Sequence, residues 1–335
     1  MIRGRIRIGV RHALAVLALL RGALVVAVVS LGAGDYPIAP QDVVRTLLGQ
    51  GTRRMPLVVL DWRMPRVLLA LALGAALGAA GAIFQSLSRN PLGSPDIIGF
   101  DSGAYTGALL VISLMGTRYL AVAGGAVAGG LATAALIYVL AYRKGSQGFR
   151  LIIVGIAVSA MLSSLNTWII LNAELHIAMA AGAWGSGSLN TVSWAQTAPA
   201  LSVLAVLWVL AALVARRMSL LELGDDEAVA LGLRSNRVRL ALVILEVALT
   251  ATATAVAGPI AFVSLAAPQL ARRVSRAPGV TLAASAAMGA LLLSASDFVA
   301  QRLFAPTQLP VGIVTVALGG LYLVWLLIRE ARRRA

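Results

Sequence analysis

The stretch that decides the fold is DWRMPRVLLALALGAALGAAGAIFQSLSRNPLGSPDIIGFDSGA, residues 61–104. An apolar segment dense in glycine and alanine, long enough to span a membrane, is followed at once by a polar elbow with two prolines, an asparagine and an aspartate. A bilayer tolerates irregular backbone only where protein or a water-filled cavity surrounds it. The small residues allow another helix to approach closely. Together these features predict a moving transport pathway rather than a passive membrane anchor.

Composition extends this prediction to the whole chain. A mean hydropathy of +0.89 and a hydrophobic content of 59% over 335 residues exclude a soluble globular protein. Because a spanning helix needs roughly 20 apolar residues, we predict an all-α polytopic membrane protein of about ten spans in one domain, residues 1–335. Arg21 interrupts the first apolar segment and no clear cleavage site follows, so we interpret it as a retained span rather than a signal peptide. The predicted spans are 13–33, 66–87, 97–116, 119–142, 150–172, 193–215, 238–257, 259–275, 280–304 and 311–329.

The net charge of +15 is distributed as a membrane topology requires, and not as a nucleic-acid-binding surface. With the N-terminus placed in the cytoplasm, twenty Lys and Arg residues fall on the cytoplasmic side of the predicted spans and seven fall outside. This bias follows the positive-inside rule, and an even number of spans places both termini in the cytoplasm.

Several kinds of chemistry are excluded by what the sequence lacks. There is no G-x-x-x-x-G-K-[ST] phosphate-binding loop, so any energy from ATP would come from another chain. There is no cysteine, which excludes disulfides and thiolate metal sites and leaves the redox compartment undetermined. His12 and His176 are solitary, and we predict neither a metal site nor a cofactor bound by this chain.

Two polar connections stand out between the apolar segments. Residues 172–194 are too rich in glycine and serine to span, and we predict a loop with a short helix on the outer face. Residues 216–239 form the longest cytoplasmic connection, within which Leu220–Leu231 has a helical apolar rhythm and Gly232 is a natural stop. A short amphipathic helix in a basic inner loop suggests docking to a partner.

Five stretches, in order, resemble the FecCD family, the membrane permeases of binding-protein-dependent ABC importers for iron siderophores, haem and cobalamin. They are Arg63-x-Pro65-Arg66, GAIFQSLSRNPLGSPDIIGFDSGA, GDDEAVALG, GPIAFVSLAAPQLARR and LPVGIVTVALGG. Other stretches are most similar to the ferric-enterobactin branch, whose permeases form heterodimers. The resemblance implies a BtuC-like type II importer fold: a first span 13–33, repeat one at about 64–172, a coupling loop 216–239 and an inverted repeat two at about 238–329.

The resemblance also implies a function and a set of partners. The chain would be the permease subunit of an importer that carries ferric siderophore across the inner membrane of a bacterium. It would not be an enzyme, because ATP and Mg²⁺ would be used by a separate ATPase. The implied partners are a second permease, favoured to be a paralogue, two ATP-binding subunits and an extracytoplasmic ferric-siderophore-binding protein. Haem or cobalamin is the alternative substrate, and an ion-coupled secondary transporter using Glu246 is the alternative class.

Functional residues follow by position from the same resemblance. The resemblance implies that Arg63 and Arg66 contact acidic residues of the binding protein. The alternative is that they anchor the helix at lipid headgroups. Arg302 is added because it adjoins Gln301, where the family has a further arginine. The resemblance implies that the inner loop couples this chain to the ATPase, and the alternative is that the loop is only a solvated amphipathic helix. Its residues are Leu221, Leu223, Gly224, Asp225, Asp226, Glu227, Leu231 and Gly232.

The inner gate and the pathway complete the predicted site. Asn90 and Leu92 in the elbow match the family's gate, as does the loop before the fifth span, where Phe149 departs from the usual polar residue. An ordinary helix cap is the alternative for the elbow. A polar stripe on the fifth span predicts a channel lining or, equally, helix–helix hydrogen bonds. Its residues include Ser159, Ser163 and Asn166.

Charges within the spans call for partners, because an intramembrane charge is costly. Arg21 and Glu246 lie at similar predicted depths, and we hypothesise that they pair, with snorkelling as the alternative. Asp297 and Asp101 are interpreted as helix caps. Because the fifth span offers no Lys or Arg to a strongly anionic tris-catecholate, we predict a less anionic chelate such as a hydroxamate.

Overall fold

The protein is described here by a computed structural model. The structure describes residues 2–51, 54–141, 147–222, 224–276, 279 and 281–334, and the side chains of 2–10, 97–98, 147–149, 151, 225–226, 326–327 and 329–334 lie outside that description.

The described residues fold almost entirely into helices. A π-helical segment, Leu57–Arg63, leads directly into the third α-helix. The α-helices are α1 (Ile2–Gly32), α2 (Pro40–Leu47), α3 (Met64–Ser88), α4 (Pro95–Ile98), α5 (Phe100–Met115), α6 (Tyr119–Ala141), α7 (Gln147–Asn172), α8 (Leu175–Gly185), α9 (Trp194–Leu221), α10 (Asp225–Ala230), α11 (Ser235–Ala257), α12 (Val263–Ser275), α13 (Leu282–Arg302) and α14 (Val311–Arg334).

The ten predicted spans correspond to ten of these helices. Within the described residues, seven helical segments are long and apolar enough to cross a membrane: those of α1, π–α3, α6, α7, α9, α11 and α13. Two shorter apolar helices, α5 and α14, lie at further predicted spans. The predicted loop at 172–194 contains the short helix α8, as expected.

The predicted span 259–275 is shorter than a membrane crossing. Its helix α12 has 13 residues, about 20 Å of rise against a hydrocarbon core of about 30 Å. The chain breaks before it, because Gly258 has φ +74° and Phe262 has φ +70°, both in the left-handed region. The segment between them is therefore irregular backbone. It is half-buried against the protein, with Ile260 fully buried, and a bilayer tolerates such backbone where protein surrounds it.

Helix α3 lies at the centre and packs against α13, α11, α12 and α9. The small residues of α3 bring its backbone against that of α13: a methyl group at Gly78 would meet the carbonyl oxygen of Ser285, and one at Gly289 would meet that of Gly74. The close approach predicted from the glycine and alanine pattern is confirmed at this contact.

The hypothesised pair of Arg21 and Glu246 is wrong. Helix α1 packs against α13, whereas Glu246 faces inward from α11, which packs against α3, α9 and α6. Arg21 is exposed, and one carboxyl oxygen of Glu246 is buried without a hydrogen-bond partner. Counting residues along a span gives depth but not the direction in which a side chain points.

The predicted helix at 220–231 is divided. Helix α9 continues to Leu221, and the short α10 begins only at Asp225. Gly224 between them has φ +135°, which interrupts the helical path. The predicted stop at Gly232 is confirmed: its φ is +81°, and the Leu233 amide donates to the Ala228 carbonyl oxygen in a Schellman motif.

Candidate functional site

The end of the bundle at which α3 begins, here called the Arg66 end, is organised around one buried ion pair. The Arg66 guanidinium lies 2.9 Å from Asp297 Oδ1 through Nη2 and 3.0 Å from Oδ2 through Nε. The side chains are 11% and 3% exposed. This bidentate arrangement gives each carboxylate oxygen a hydrogen-bond donor. Arg66 is therefore turned into the fold, and the prediction of a free docking charge at this position is not supported by its geometry.

Three amide side chains complete the Arg66–Asp297 pair. Arg66 donates to Asn190 Oδ1 and to Gln308 Oε1, each at 2.8 Å, and Gln301 Nε2 donates to Asp297 Oδ2 at 2.8 Å. The pair thus joins α3 to α13 and to the segments that follow α8 and α13. The interpretation of Asp297 as a helix cap was wrong. Gln301, next to the predicted docking residue Arg302, donates to Asp297 and so belongs to this cluster.

Arg63 and Arg302 lie beside a surface cavity of about 310 Å³, here called the Arg63 cavity. Arg63 is half-buried and donates to the carbonyl oxygens of Leu31 at 2.8 Å and Tyr36 at 2.7 Å. Arg66 lines the floor of the same cavity. The structure therefore brings the three predicted docking arginines together, two of them closer to the surface than Arg66.

The elbow after α3 is a compact turn at the opposite end. Asn90 Oδ1 accepts from the Leu92 amide at 2.9 Å, a local bond typical of asparagine in turns. Gln269 on α12 donates to the Pro91 carbonyl oxygen at 2.8 Å and so ties the elbow to the neighbouring helix. Leu92 is exposed. Asn90 thus closes a local turn one residue beyond the C-cap of α3 at Arg89, and it caps neither α3 nor α4. The gate stays a prediction, and the side chain of Phe149 lies outside the described residues.

The polar residues predicted as a stripe on α7 have two different surroundings: one contacts a neighbouring helix, and two line a cavity. Ser159 Oγ lies 2.9 Å from Ser102 Oγ on α5, which is a helix–helix contact. Ser163 and Asn166 line a second cavity of about 310 Å³ together with Asp101, here called the Asp101 cavity. The helix–helix hydrogen bond is confirmed at Ser159, and the channel lining at Ser163 and Asn166 stays a prediction.

The predicted coupling segment presents an apolar surface at the α10 end of the molecule. Val229 and Leu231 are each 60% exposed, whereas Ala228 is buried and anchors α10. Leu221, predicted to contact a partner, is instead buried in this chain's own core. Leu223 and the side chains of Asp225 and Asp226 lie outside the described residues. Glu227 is exposed.

Sequence reasoning missed the hydrogen bonds that two carboxyls, on α4 and α5, make inside the bundle. Asp96 accepts from the Phe262 amide at 3.1 Å and from the Ser264 hydroxyl at 2.9 Å. Asp101 accepts from the Thr254 hydroxyl at 3.0 Å, so it is not the cap that the sequence suggested. The sequence signal was two acids next to apolar runs, but the donors on α11 and at the start of α12 reach them only in the fold.

Comparison with known proteins shows the family to which this chain belongs. A sequence model of the FecCD transport family matches residues 22–329. This chain belongs to the FecCD family. The ferric enterobactin transport system permease protein FepG of Escherichia coli is 50% identical to it over 95% of this chain and 96% of its own length. The iron(3+)-hydroxamate import system permease protein FhuG of Bacillus subtilis is 37% identical over 91% of this chain and 94% of its own.

A solved structure shares the architecture of this FecCD chain. An inward-facing metal-chelate type ABC transporter superposes with a TM-score of 0.83 at 26% identity, and the alignment covers 94% of this chain and 98% of that one. The family resemblance and the all-α importer fold predicted from sequence are thereby confirmed. The roles carried over to individual residues, the domain boundaries and the inverted repeats stay predictions.

Proposed function

We propose that this FecCD permease is the membrane-spanning subunit of an ATP-driven importer that carries ferric siderophores across the bacterial inner membrane. The observation that carries the proposal is the 50% identity, over nearly the whole of both chains, with a ferric enterobactin permease. The likeness in fold to a metal-chelate type ABC transporter supports it independently.

The proposed assembly needs partners that supply what this chain lacks. The sequence contains no phosphate-binding loop, so two ATPase subunits would bind ATP and Mg²⁺. A second permease, which we propose is a paralogue, would form the other wall of the pathway. From the positive-inside bias we propose that both termini and α10 lie in the cytoplasm and that the Arg66 end lies outside, facing a siderophore-binding protein.

We propose that α10 transmits motion from the ATPase. Val229 and Leu231 form an exposed apolar patch, which marks an interaction surface, and the exposed Glu227 suits a basic residue on the partner. The Schellman motif at Gly232 fixes the direction of the chain leaving α10. Because Ala228 is buried, a push on α10 would be passed to α9 and α11, which it contacts.

We propose that substrate passes the exposed face of α7. The Asp101 cavity lies there, and Ser163 and Asn166 offer hydrogen bonds without strong binding, as a pathway requires. The greater identity with an enterobactin permease than with a hydroxamate permease favours a ferric catecholate as the substrate. This weighs against the hydroxamate that the lack of cations in α7 had suggested.

The coupling role is tested with Leu231→Ala in the full importer, assembled with its ATPase and reconstituted in liposomes. We expect iron uptake and binding-protein-stimulated ATP hydrolysis to fall at least about tenfold while the permease content stays normal, because one buried apolar side chain is worth about 1.5–3 kcal/mol. Leu14→Ala, at a leucine of α1 that is 59% exposed, is the matched control. Uptake and hydrolysis equal to those of the control would refute coupling through α10.

A further inference from the structure

The Asp101 cavity offers an anionic chelate no attraction by charge. Among the described residues that line the cavity, Asp101 is the only one with an ionisable acid or base that is charged near neutral pH, and its charge is negative. A strongly anionic ferric catecholate is repelled by such a group. A preference for this chelate at the cavity must therefore come from uncharged contacts.

Tyr105 of α5 supplies an aromatic surface to the same cavity. Its ring is stacked on that of Trp184 of α8, with the ring centroids 6.0 Å apart and the planes 6° from parallel. Its hydroxyl donates to the Ala181 carbonyl oxygen at 3.2 Å. Two contacts with α8 therefore fix the ring, and because Tyr105 is only half-buried, part of its side chain stays open to the cavity.

Gly185, the residue after Trp184, allows α8 to come this close to the ring. A Cβ atom at Gly185 would lie 2.8 Å from Cε2 of Tyr105 and 3.0 Å from its Cζ. Any side chain at this position would therefore displace the ring, and Gly185 itself lines the cavity. The position of the Tyr105 ring is set before a ligand arrives, which lowers the entropy cost of a contact with it.

Asn166 of α7 adds an unfilled hydrogen-bond acceptor to this cavity. The residue is 4% exposed, and its Oδ1 atom is buried without a partner. Its Nδ2 atom donates to the Ser102 carbonyl oxygen at 3.4 Å, which orients the amide. A buried acceptor without a donor is costly, so a ligand that brings an N–H or O–H group is favoured. A fixed aromatic ring and an unfilled acceptor together suit an aromatic ligand that carries such a donor.

We propose that Tyr105 is a specificity-determining residue, which contacts the aromatic rings of a ferric catecholate as the chelate passes the Asp101 cavity. This role rests on the proposed function, because the ligand is the substrate named there. Aromatic rings attract one another in offset or edge-to-face arrangements, and neither ring needs a net charge. A hydroxamate chelate without aromatic rings gains nothing from Tyr105. The ring thus gives a cavity with no described cation in its wall a preference for an anionic catecholate.

Occupation of the cavity is measured by protection of a thiol within it. The chain has no cysteine, so Ser163→Cys gives this permease a single thiol, at an exposed position that lines the cavity. In the importer reconstituted in liposomes, we expect binding protein loaded with a ferric catecholate to slow the labelling of this chain by a water-soluble thiol reagent. Ser164→Cys, at an exposed neighbour that is not among the lining residues, is the matched control, and its labelling should not respond to the chelate.

The role of the ring is tested by adding Tyr105→Leu or Tyr105→Phe to Ser163→Cys. Tyr105→Leu removes the ring, and it should raise the ferric catecholate concentration that gives half-protection by about two- to tenfold, the usual worth of an aromatic pair. Tyr105→Phe keeps the ring and should stay near the wild-type value. Any protection by a ferric hydroxamate should be the same with and without the ring. If Tyr105→Leu changes the labelling rate without chelate, Gly185→Ala, which displaces the ring, takes its place and should give the same rise.

Two results would overturn the role of Tyr105. One is an equal half-protection concentration with and without the ring, and the other is no protection of Ser163→Cys by a catecholate that the wild type transports. Uptake by the wild-type importer is measured first, because failure to take up any ferric chelate would refute the proposed function itself. The two failures are thereby distinguished.

Discussion

Removing Arg66 should destabilise the protein far more than removing an ordinary surface arginine. The Asp297 carboxylate is 3% exposed, and Arg66→Ala would leave it buried with only Gln301 as a side-chain donor. Breaking a buried pair by deleting one partner costs about 3–5 kcal/mol. Arg45→Ala, in a surface pair with Asp42 whose side chains are 64% and 36% exposed, should cost only about 0–1 kcal/mol.

The double variant Arg66→Met/Asp297→Leu separates a stranded charge from lost packing. It removes both charges and leaves the amides of Asn190 and Gln308 without Arg66, at about 1 kcal/mol each. We therefore expect a cost of about 1–3 kcal/mol, below that of Arg66→Ala alone. The assay is the free energy of unfolding in mixed micelles under denaturant, compared with Arg45→Ala. Equal costs for Arg66→Ala and Arg45→Ala, or a double variant worse than the single one, would refute the reasoning.

Two further predictions concern packing and docking. Gly78→Val should disrupt the α3–α13 contact, because any Cβ there meets the Ser285 carbonyl oxygen, and folded protein should be lost on size-exclusion chromatography. Gly124→Val, with open space around it, is the control and should be tolerated. Equal yields of the two variants would contradict the close approach of α3 and α13. Arg302→Glu at the Arg63 cavity should weaken binding of the siderophore-loaded binding protein to the reconstituted importer by about tenfold or more. The reason is that a glutamate would repel the acidic residues of the binding protein that Arg302 is predicted to attract. Unchanged affinity would exclude docking at this position.

The fold followed from the sequence wherever the signal was local. Apolar runs marked the helices, the glycine and alanine pattern of α3 predicted a close neighbour, and Gly232 ended α10. Where the local signal was mixed, the prediction erred. The irregular backbone at Gly258–Phe262 was read as part of a span, because its residues are as apolar as those of a helix.

The site depends on contacts that no local pattern contains. Arg66 and Asp297 are 231 residues apart, and a motif for docking gave no sign that the arginine turns inward. Glu246 was assigned to Arg21 by depth alone, whereas packing determines which side of a helix faces which neighbour. The contact between Asp101 and Thr254 arises in the same way, from the packing of α5 against α11.

The measurement that tests the central claim most directly is radio-iron uptake in a bacterial strain deleted for this chain, supplied in parallel with ferric catecholate, ferric hydroxamate, haem and cobalamin. The account predicts loss of ferric catecholate uptake, restored by the wild-type chain, with the other substrates unaffected. Loss of haem or cobalamin uptake instead would overturn the substrate, and unchanged uptake of all four would contradict the transport function itself.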